Sequence, residues 1–171
     1  MIKFGSALLA SLLVSACATQ PTAPAASAVL APTTGNTVNG TVTFSKLSGG
    51  VLVAGEVRGL APNTEHGFHI HDKGDCSSGD GMSTGGHFNP TAQWHGAHGN
   101  SQHHAGDLVS LLADATGVAR FSFTSTTITV GEGSTDIIGH GLIVHRDADD
   151  FKTQPTGNSG ARVACAVIVK N

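Results

Sequence analysis

Along most of this chain, hydrophobic and polar residues alternate in short runs. Val42 and Phe44 sit between Thr41, Thr43 and Ser45, with Val38 just upstream. Ser48-Gly49-Gly50 turns the chain, and Val51, Val53 and Val57 follow. A two-residue period sends one parity into a core and the other towards solvent, so these runs predict strands. Leu108–Leu112, the turn Asp114-Ala115-Thr116-Gly117 and Val118–Thr124 predict a hairpin. Ile128–Val130, Ile137–His145 and Arg162–Val169 complete the set, and no stretch carries a long helical period. With 39% hydrophobic residues in 171, the prediction is a single all-β core, a Greek-key sandwich or barrel.

Before Asn36 the pattern is different. Met1–Ala16 has one cation, Lys3, and an apolar run from Ala7 to Val14 that is too short to span a bilayer. It reads as an export signal. Val14-Ser15-Ala16-Cys17 resembles a bacterial lipobox, so residues 1–16 are expected to be removed and Cys17 acylated. A secreted chain with three cysteines needs a use for the odd one. Residues 17–35 would then be the acylated N-terminus and an uncharged Ala/Pro/Thr-rich tether, and residues 36–171 the folded domain. The expected location is the periplasm or cell envelope, with the protein membrane-anchored through Cys17.

Two segments exceed ordinary connection lengths, Asp72–Gly106 and Arg146–Gly160, and loops of that size are commonly functional. The first lies within the stretch His66–Asp107, which holds eight of the chain's ten histidines. Packing gives no reason to crowd imidazoles in this way, whereas neutral imidazole is the commonest side-chain metal ligand. His69 and His71 share one parity of a strand while Phe68 and Ile70 share the other, so two imidazoles would project side by side as half of a copper or zinc site. His87, His95, His104 and Asp107 are spaced by eight, nine and three residues, too irregular for one helix face. Three nitrogens and a carboxylate suit closed tetrahedral zinc, with Zn–N of about 2.0–2.1 Å. His145 ends an apolar run and by itself reads as a polar strand end.

The segments GFHIH, GDC, GGHFNP, HAGDL, IIGHGLIVHRDADD and GNSGARVACAVI, in order and at matching separations from about Asn36 to Asn171, resemble the copper/zinc superoxide dismutases, most closely the bacterial secreted branch. The resemblance implies an eight-stranded flattened Greek-key β-barrel, an immunoglobulin-like sandwich in architecture, with two long active-site loops. It implies one copper and one zinc ion per subunit and dismutation of superoxide to dioxygen and hydrogen peroxide, an antioxidant activity. His69, His71, His87 and His145 would bind copper. His87, His95, His104 and Asp107 would bind zinc, so His87 bridges. Arg162 would attract and orient the anion, and with His87 it makes up the catalytic pair. Cys76 and Cys165 would form a disulfide. Asp149 would link a His71-type copper ligand to a His95-type zinc ligand through their free N–H groups, with the particular copper histidine left open. His66 would be structural. Monomer and homodimer both remain open.

Charge bears on the partner. Net charge is −3, with 9 basic and 12 acidic residues, and it becomes more negative once Lys3 is removed. That argues against nucleic acid. Guidance of an anionic substrate must then be local. Ser77–Gly86 lacks the lysines expected there from bacterial relatives, which leaves Lys73 and Lys152. His98 and His103 read as surface imidazoles, and Trp94 as loop packing. A non-enzymatic copper-binding relative would lack a copper ligand or Arg162, and neither is missing. A zinc hydrolase would need an open zinc position, which four ligands close.

Overall fold

The structure is a computed structural model that describes residues 23–171. The expected leader and Cys17 lie outside the described residues. The regular elements are β1 (Ala26–Pro32), β2 (Asn39–Leu47), β3 (Gly50–Arg58), β4 (Glu65–His66), β5 (Phe68–His71), a 3₁₀ turn (Met82–Thr84), β6 (Leu111–Leu112), β7 (Val118–Ser125), β8 (Gly141–His145), β9 (Arg162–Val167) and β10 (Val169–Lys170). One curled antiparallel sheet runs β5-β8-β9-β1-β2-β3-β7, with β10 also on β1; β4 and β6 form a separate pair. Only Gly67 separates β4 from β5, so the small pair continues the curl. The neighbours β5–β8, β9–β1 and β3–β7 are not consecutive in the chain, as in a Greek key. The fold is all-β, as expected.

The two halves of the sheet are buried differently, and this positions the site. In β1, β2 and β3 burial alternates: Ala26, Ala28 and Leu30, then Val42 and Phe44, then Val51, Val53 and Val57 point into the core. All residues of β5 and β8 are buried, as are Val163–Ala166 of β9. Phe68, Ile70, Leu142, Val144, Ala164 and Ala166 belong to the central core. The opposite parity, His69, His71, Ile143 and Cys165, is buried as well. On that side lie the two long loops, residues 72–110 and 146–161. A strand covered on both faces needs no alternation.

Three expectations change. Ala26–Pro32, placed in the tether, is a strand: it pairs with β2 from Ala26↔Phe44 to Leu30↔Gly40 and with β9 at Ala31↔Cys165. Two of its three inward residues, Ala26 and Ala28, are small, so the alternation is masked by the Ala/Pro/Thr composition, and the folded domain begins before residue 36. The expected hairpin keeps its turn, in which Asp114 Oδ1 accepts from the backbone N–H groups of Thr116 and Val118. Its arms take other partners, however: β6 pairs with β4 and β7 with β3. Burial of Leu108 and Leu111 outweighs local turn chemistry. Ile128 and Val130 are buried, yet they meet only an isolated bridge, Thr129↔Asp136.

The disulfide Cys76–Cys165 is present and spans 89 residues. In the chain-entropy picture a closure of that size is worth about 4–5 kcal/mol. It ties the first long loop to β9, three residues from Arg162.

Candidate metal centre

The free edge of β5 assembles the site. Residues 86–88 and 106–108 add backbone hydrogen bonds to it: Asp72 N–H to Gly86 O, Phe88 N–H to Ile70 O, Ile70 N–H to Gly106 O and Leu108 N–H to Phe68 O. The bridges His71↔His87 and His69↔Asp107 result. A zinc-type ligand is thereby set beside each histidine of the His-x-His pair. Across β8 the ladder runs Ile143↔Cys165, Val144↔Ala164 and then His145↔Arg162, with a register shift that passes over Val163. Without that bulge Val163 would stand opposite His145. With it, Arg162 does.

Two groups of four donors converge, His69, His71, His87 and His145, and His87, His95, His104 and Asp107. Within each group the donor atoms lie within 4.8 Å of one another. All seven residues are buried. Among the described residues, six buried imidazole nitrogens have no hydrogen-bond partner: Nδ1 of His69, His95 and His104, and Nε2 of His71, His87 and His145. Orphaned buried polar atoms are costly and call for an explanation. These orphans converge on two points, which is what a pair of ions would satisfy.

The second nitrogen of most rings sets its tautomer. His71 Nδ1–H donates to Gly85 O (2.9 Å) and His145 Nδ1–H to Gly160 O (3.3 Å), so each leaves an Nε2 lone pair. His69 is reversed: Nε2–H donates to Asp149 Oδ2 (2.7 Å), which frees Nδ1. Asp149 Oδ1 accepts from His95 Nε2 (2.9 Å) and from the Phe151 N–H (2.7 Å). The copper-side histidine left open by the sequence is therefore His69. His87 Nδ1 and His95 Nδ1 stand 2.8 and 3.0 Å from the two Asp107 oxygens, and His104 Nδ1 stands 3.4 Å from Oδ1. Tetrahedral ligands about 2.0–2.1 Å from a zinc ion stand about 3.3 Å apart, so these spacings suit it. His66, expected to be structural, donates from Nδ1 to His145 O (2.9 Å).

Charge in the cluster is set by burial and by the two carboxylates. Desolvation lowers His69, His71 and His145 from the ordinary imidazole value. Desolvation, then the neighbouring His69, pushes His87 down to about 4. Burial would lower His95 too, but the two carboxylates beside it, Asp107 facing Nδ1 and Asp149 bonded to Nε2, outweigh it and carry it up to about 9. Burial works against ionised Asp107 and Asp149, and their histidine partners win, holding both well below the usual carboxylate range. At neutral pH the first group thus offers uncharged lone pairs, and the second group carries the anionic ligand.

Arg162 lies beside the first group. Its Nη1 donates to Gly81 O (2.7 Å) and Thr84 Oγ1 (2.8 Å), and Nη2 to Gly85 O (2.7 Å). The Gly85 carbonyl thus holds both His71 and Arg162. Lys73 and Lys152, the other expected cations, are exposed. His98 and His103 are not the surface imidazoles expected. His103 is buried with Nδ1 against His104 O, and half-buried His98 places Nδ1 3.0 Å from Asp107 O, so both brace backbone of the second donor group. Trp94, expected to pack, is 65% exposed. Sequence reading missed Thr84, Gln154 and Gly157. The Gln154 amide bonds reciprocally with the His95 backbone at 2.9 Å in both directions. Gly157 packs where a Cβ would collide with Asp149 Oδ1. A side chain bonded to backbone leaves no spacing signal, and of these three only the glycine was noticeable.

The family model described as copper/zinc superoxide dismutase matches residues 38–168. The superoxide dismutase (Cu-Zn) of Paramecium bursaria Chlorella virus 1 is 41% identical over 77% of this chain and 72% of its own length. Superoxide dismutase (Cu-Zn) 2 of Mesembryanthemum crystallinum is 44% identical over 78% and 88%. Among solved structures, the clock protein EA4 is 39% identical, with a TM-score of 0.78 over 88% of this chain and 97% of its own. A double mutant of a SOD-like protein from Bacillus subtilis is 34% identical, with a TM-score of 0.76 over 84% and 96%.

Proposed function

Because the chain belongs to the copper/zinc superoxide dismutase family, we propose how its residues divide the dismutation of superoxide to dioxygen and hydrogen peroxide. The reaction consumes two superoxide ions and two protons, one superoxide giving up the electron that the other accepts. When bound, copper supplies the one-electron redox chemistry that zinc, with one stable oxidation state, cannot.

His69, His71, His87 and His145 hold the copper through Nδ1 of His69 and Nε2 of the others. His87, His95, His104 and Asp107 hold the zinc. The observation that carries this assignment is His87: Nε2 is an orphan in the first group, while Nδ1 faces Asp107 in the second. A ring shared in this way can hold a proton at Nε2 in one half of the cycle and give it to the departing peroxide in the other. Arg162 draws the anion in and orients it beside the first group. Asp149 keeps His69 and His95 in the tautomers their roles need.

The test is superoxide removal by protein loaded with both metals, beside His145→Ala and Arg162→Ala. His145→Ala should lose copper and activity together, and unchanged activity would take copper out of the reaction. Arg162→Ala should keep both metals and turn over more slowly, and loss of copper would make Arg162 structural.

The same reading extends to the bacterial secreted lipoprotein branch. The leader 1–16 is removed, Cys17 is acylated, and the domain sits in the periplasm or cell envelope. Supporting this are the lipobox-like Val14–Cys17 and a disulfide suited to an oxidising compartment. Mass spectrometry of membrane-extracted protein should find a diacyl or triacyl Cys17, and a free soluble N-terminus would reject it.

A further inference from the structure

Guanidinium has five N–H donors. In Arg162 three of them are taken by one short segment: Gly81 O and Thr84 Oγ1 receive Nη1, and Gly85 O receives one N–H of Nη2. Nε–H and the second Nη2–H are left for a ligand. Two of the three acceptors are backbone carbonyls, which any residue would supply. The third is a side chain that nothing in the sequence singled out.

We propose that Thr84 is a positioning residue for the substrate anion: its hydroxyl fixes the rotation of the Arg162 guanidinium and so aims the two remaining N–H groups. This rests on Arg162 being the group that receives the anion. Thr84 is fully buried, and its hydroxyl is bonded both as donor and as acceptor. That is, it accepts one bond, from Arg162 Nη1, and donates its one proton to Gly81 O at 2.8 Å, with a second lone pair not used. Because Gly81 O also accepts from Arg162, hydroxyl, carbonyl and guanidinium close a three-membered hydrogen-bond ring that turns as one body. The segment cannot easily drift. Gly81 and Gly85 bracket the 3₁₀ turn at φ of +77° and +75°, and Lys73 N–H bonds Thr84 O at 2.9 Å. The Thr84 methyl side packs against Gly141, where an added Cβ would lie 2.9 Å from Cγ2. The methyl thus fills space while the hydroxyl orients. Val keeps the first role without the second; Ser keeps the second without the first.

The experiment uses protein loaded with both metals and azide as the anion. The azide dissociation constant is read from the change in the Cu(II) absorption band, alongside metal content and thermal midpoint. Thr84→Val should retain both metals and weaken azide roughly 3- to 10-fold, the range for one hydrogen bond, while Thr84→Ser stays within about 2-fold of the parent. If Thr84→Val does not hold its metals, Thr84→Ser is compared with Thr84→Ala, which differ by the hydroxyl alone, and the same gap between them is expected. Equal azide affinity with and without the hydroxyl would overturn the proposal. Arg162→Ala is titrated in parallel. If it too binds azide as the parent does, the anion-guiding role of Arg162 falls, and the inference about Thr84 falls with it. If Arg162→Ala weakens azide but loss of the Thr84 hydroxyl does not, only Thr84's role is lost.

Discussion

Zinc binding to the metal-free protein should release a proton at neutral pH, and the proton should come from His95. Its ring lies between two buried carboxylates, with Nδ1 3.0 Å from Asp107 and Nε2 2.9 Å from Asp149. They carry its pKa up to about 9. A zinc ion needs the Nδ1 lone pair, so at pH 7 it must displace the proton there. The deficit is about two pH units, or roughly 2.7 kcal/mol. Apparent zinc affinity should therefore climb about tenfold per pH unit from pH 7 and level off near pH 9. His87 adds nothing in this window, since burial already holds it neutral with a pKa of about 4. Calorimetric titration with zinc alone, in two buffers of different ionisation enthalpy, counts the protons: about one at pH 7 and about half at pH 9. Asp149→Asn removes one of the two carboxylates and should reduce the count at pH 8. No proton release at pH 7 would refute the reasoning, because it would mean that His95 is already neutral between its carboxylates.

Two further outcomes follow from the same geometry. Gly157→Ala sets a Cβ against Asp149 Oδ1 and 2.5 Å from His95 Nε2, at a backbone φ of +64°; it should displace Asp149 and weaken metal retention about 10- to 100-fold, measured by competition with a chelator, and unchanged retention would show that Asp149 does not govern the ligands. The metal-free protein should be most stable near pH 6.5 as far as His87 and His95 are concerned. The His87 contribution, from a lowered pKa, is complete above 6.5 and is lost as pH falls towards 4; the His95 contribution, from a raised one, is complete below 6.5 and is lost as pH rises through 9. Urea midpoints across pH 4–10 check this, and a monotonic rise to pH 10 would contradict the His95 half.

The site's donor residues were legible because their composition conflicts with their setting: eight histidines in one glycine-rich stretch exceed what packing needs, and five of them are donors while His66, His98 and His103 brace backbone. His145 was not legible on its own terms, since only the β5–β8 ladder brings it to His69; there the family resemblance carried the assignment. The partner of Asp149 was also hidden. It depends on His69 being turned so that Nε2 faces the 146–161 loop, a ring orientation that spacing does not encode. β1 was missed for a different reason. Ala26, Ala28 and Leu30 do alternate, but alanine carries little hydrophobic weight, and the neighbouring Pro and Thr residues made the segment read as tether. The Leu108–Thr124 hairpin failed because turn chemistry says that the chain reverses, not which strand the reversed chain will pair with.

The glycine-rich loop is better understood as a strand extension than as a flexible connection. Its segments 86–88 and 106–108 pair with β5, and that pairing decides where His87 points. Side chains alternate along a strand, so a slip of one residue against β5 would turn His87 away from both donor groups. Two features oppose the slip. Phe88 is buried in the core, so its parity is held by hydrophobic burial. Gly106 lies where a Cβ would collide with the Ile70 carbonyl and stand 3.1 Å from the Phe88 Cβ, so only glycine fits at that step of the ladder. The bridging geometry of His87 is thus set by a phenylalanine on one side of it and a glycine nineteen residues on. Neither of them is among the donor residues.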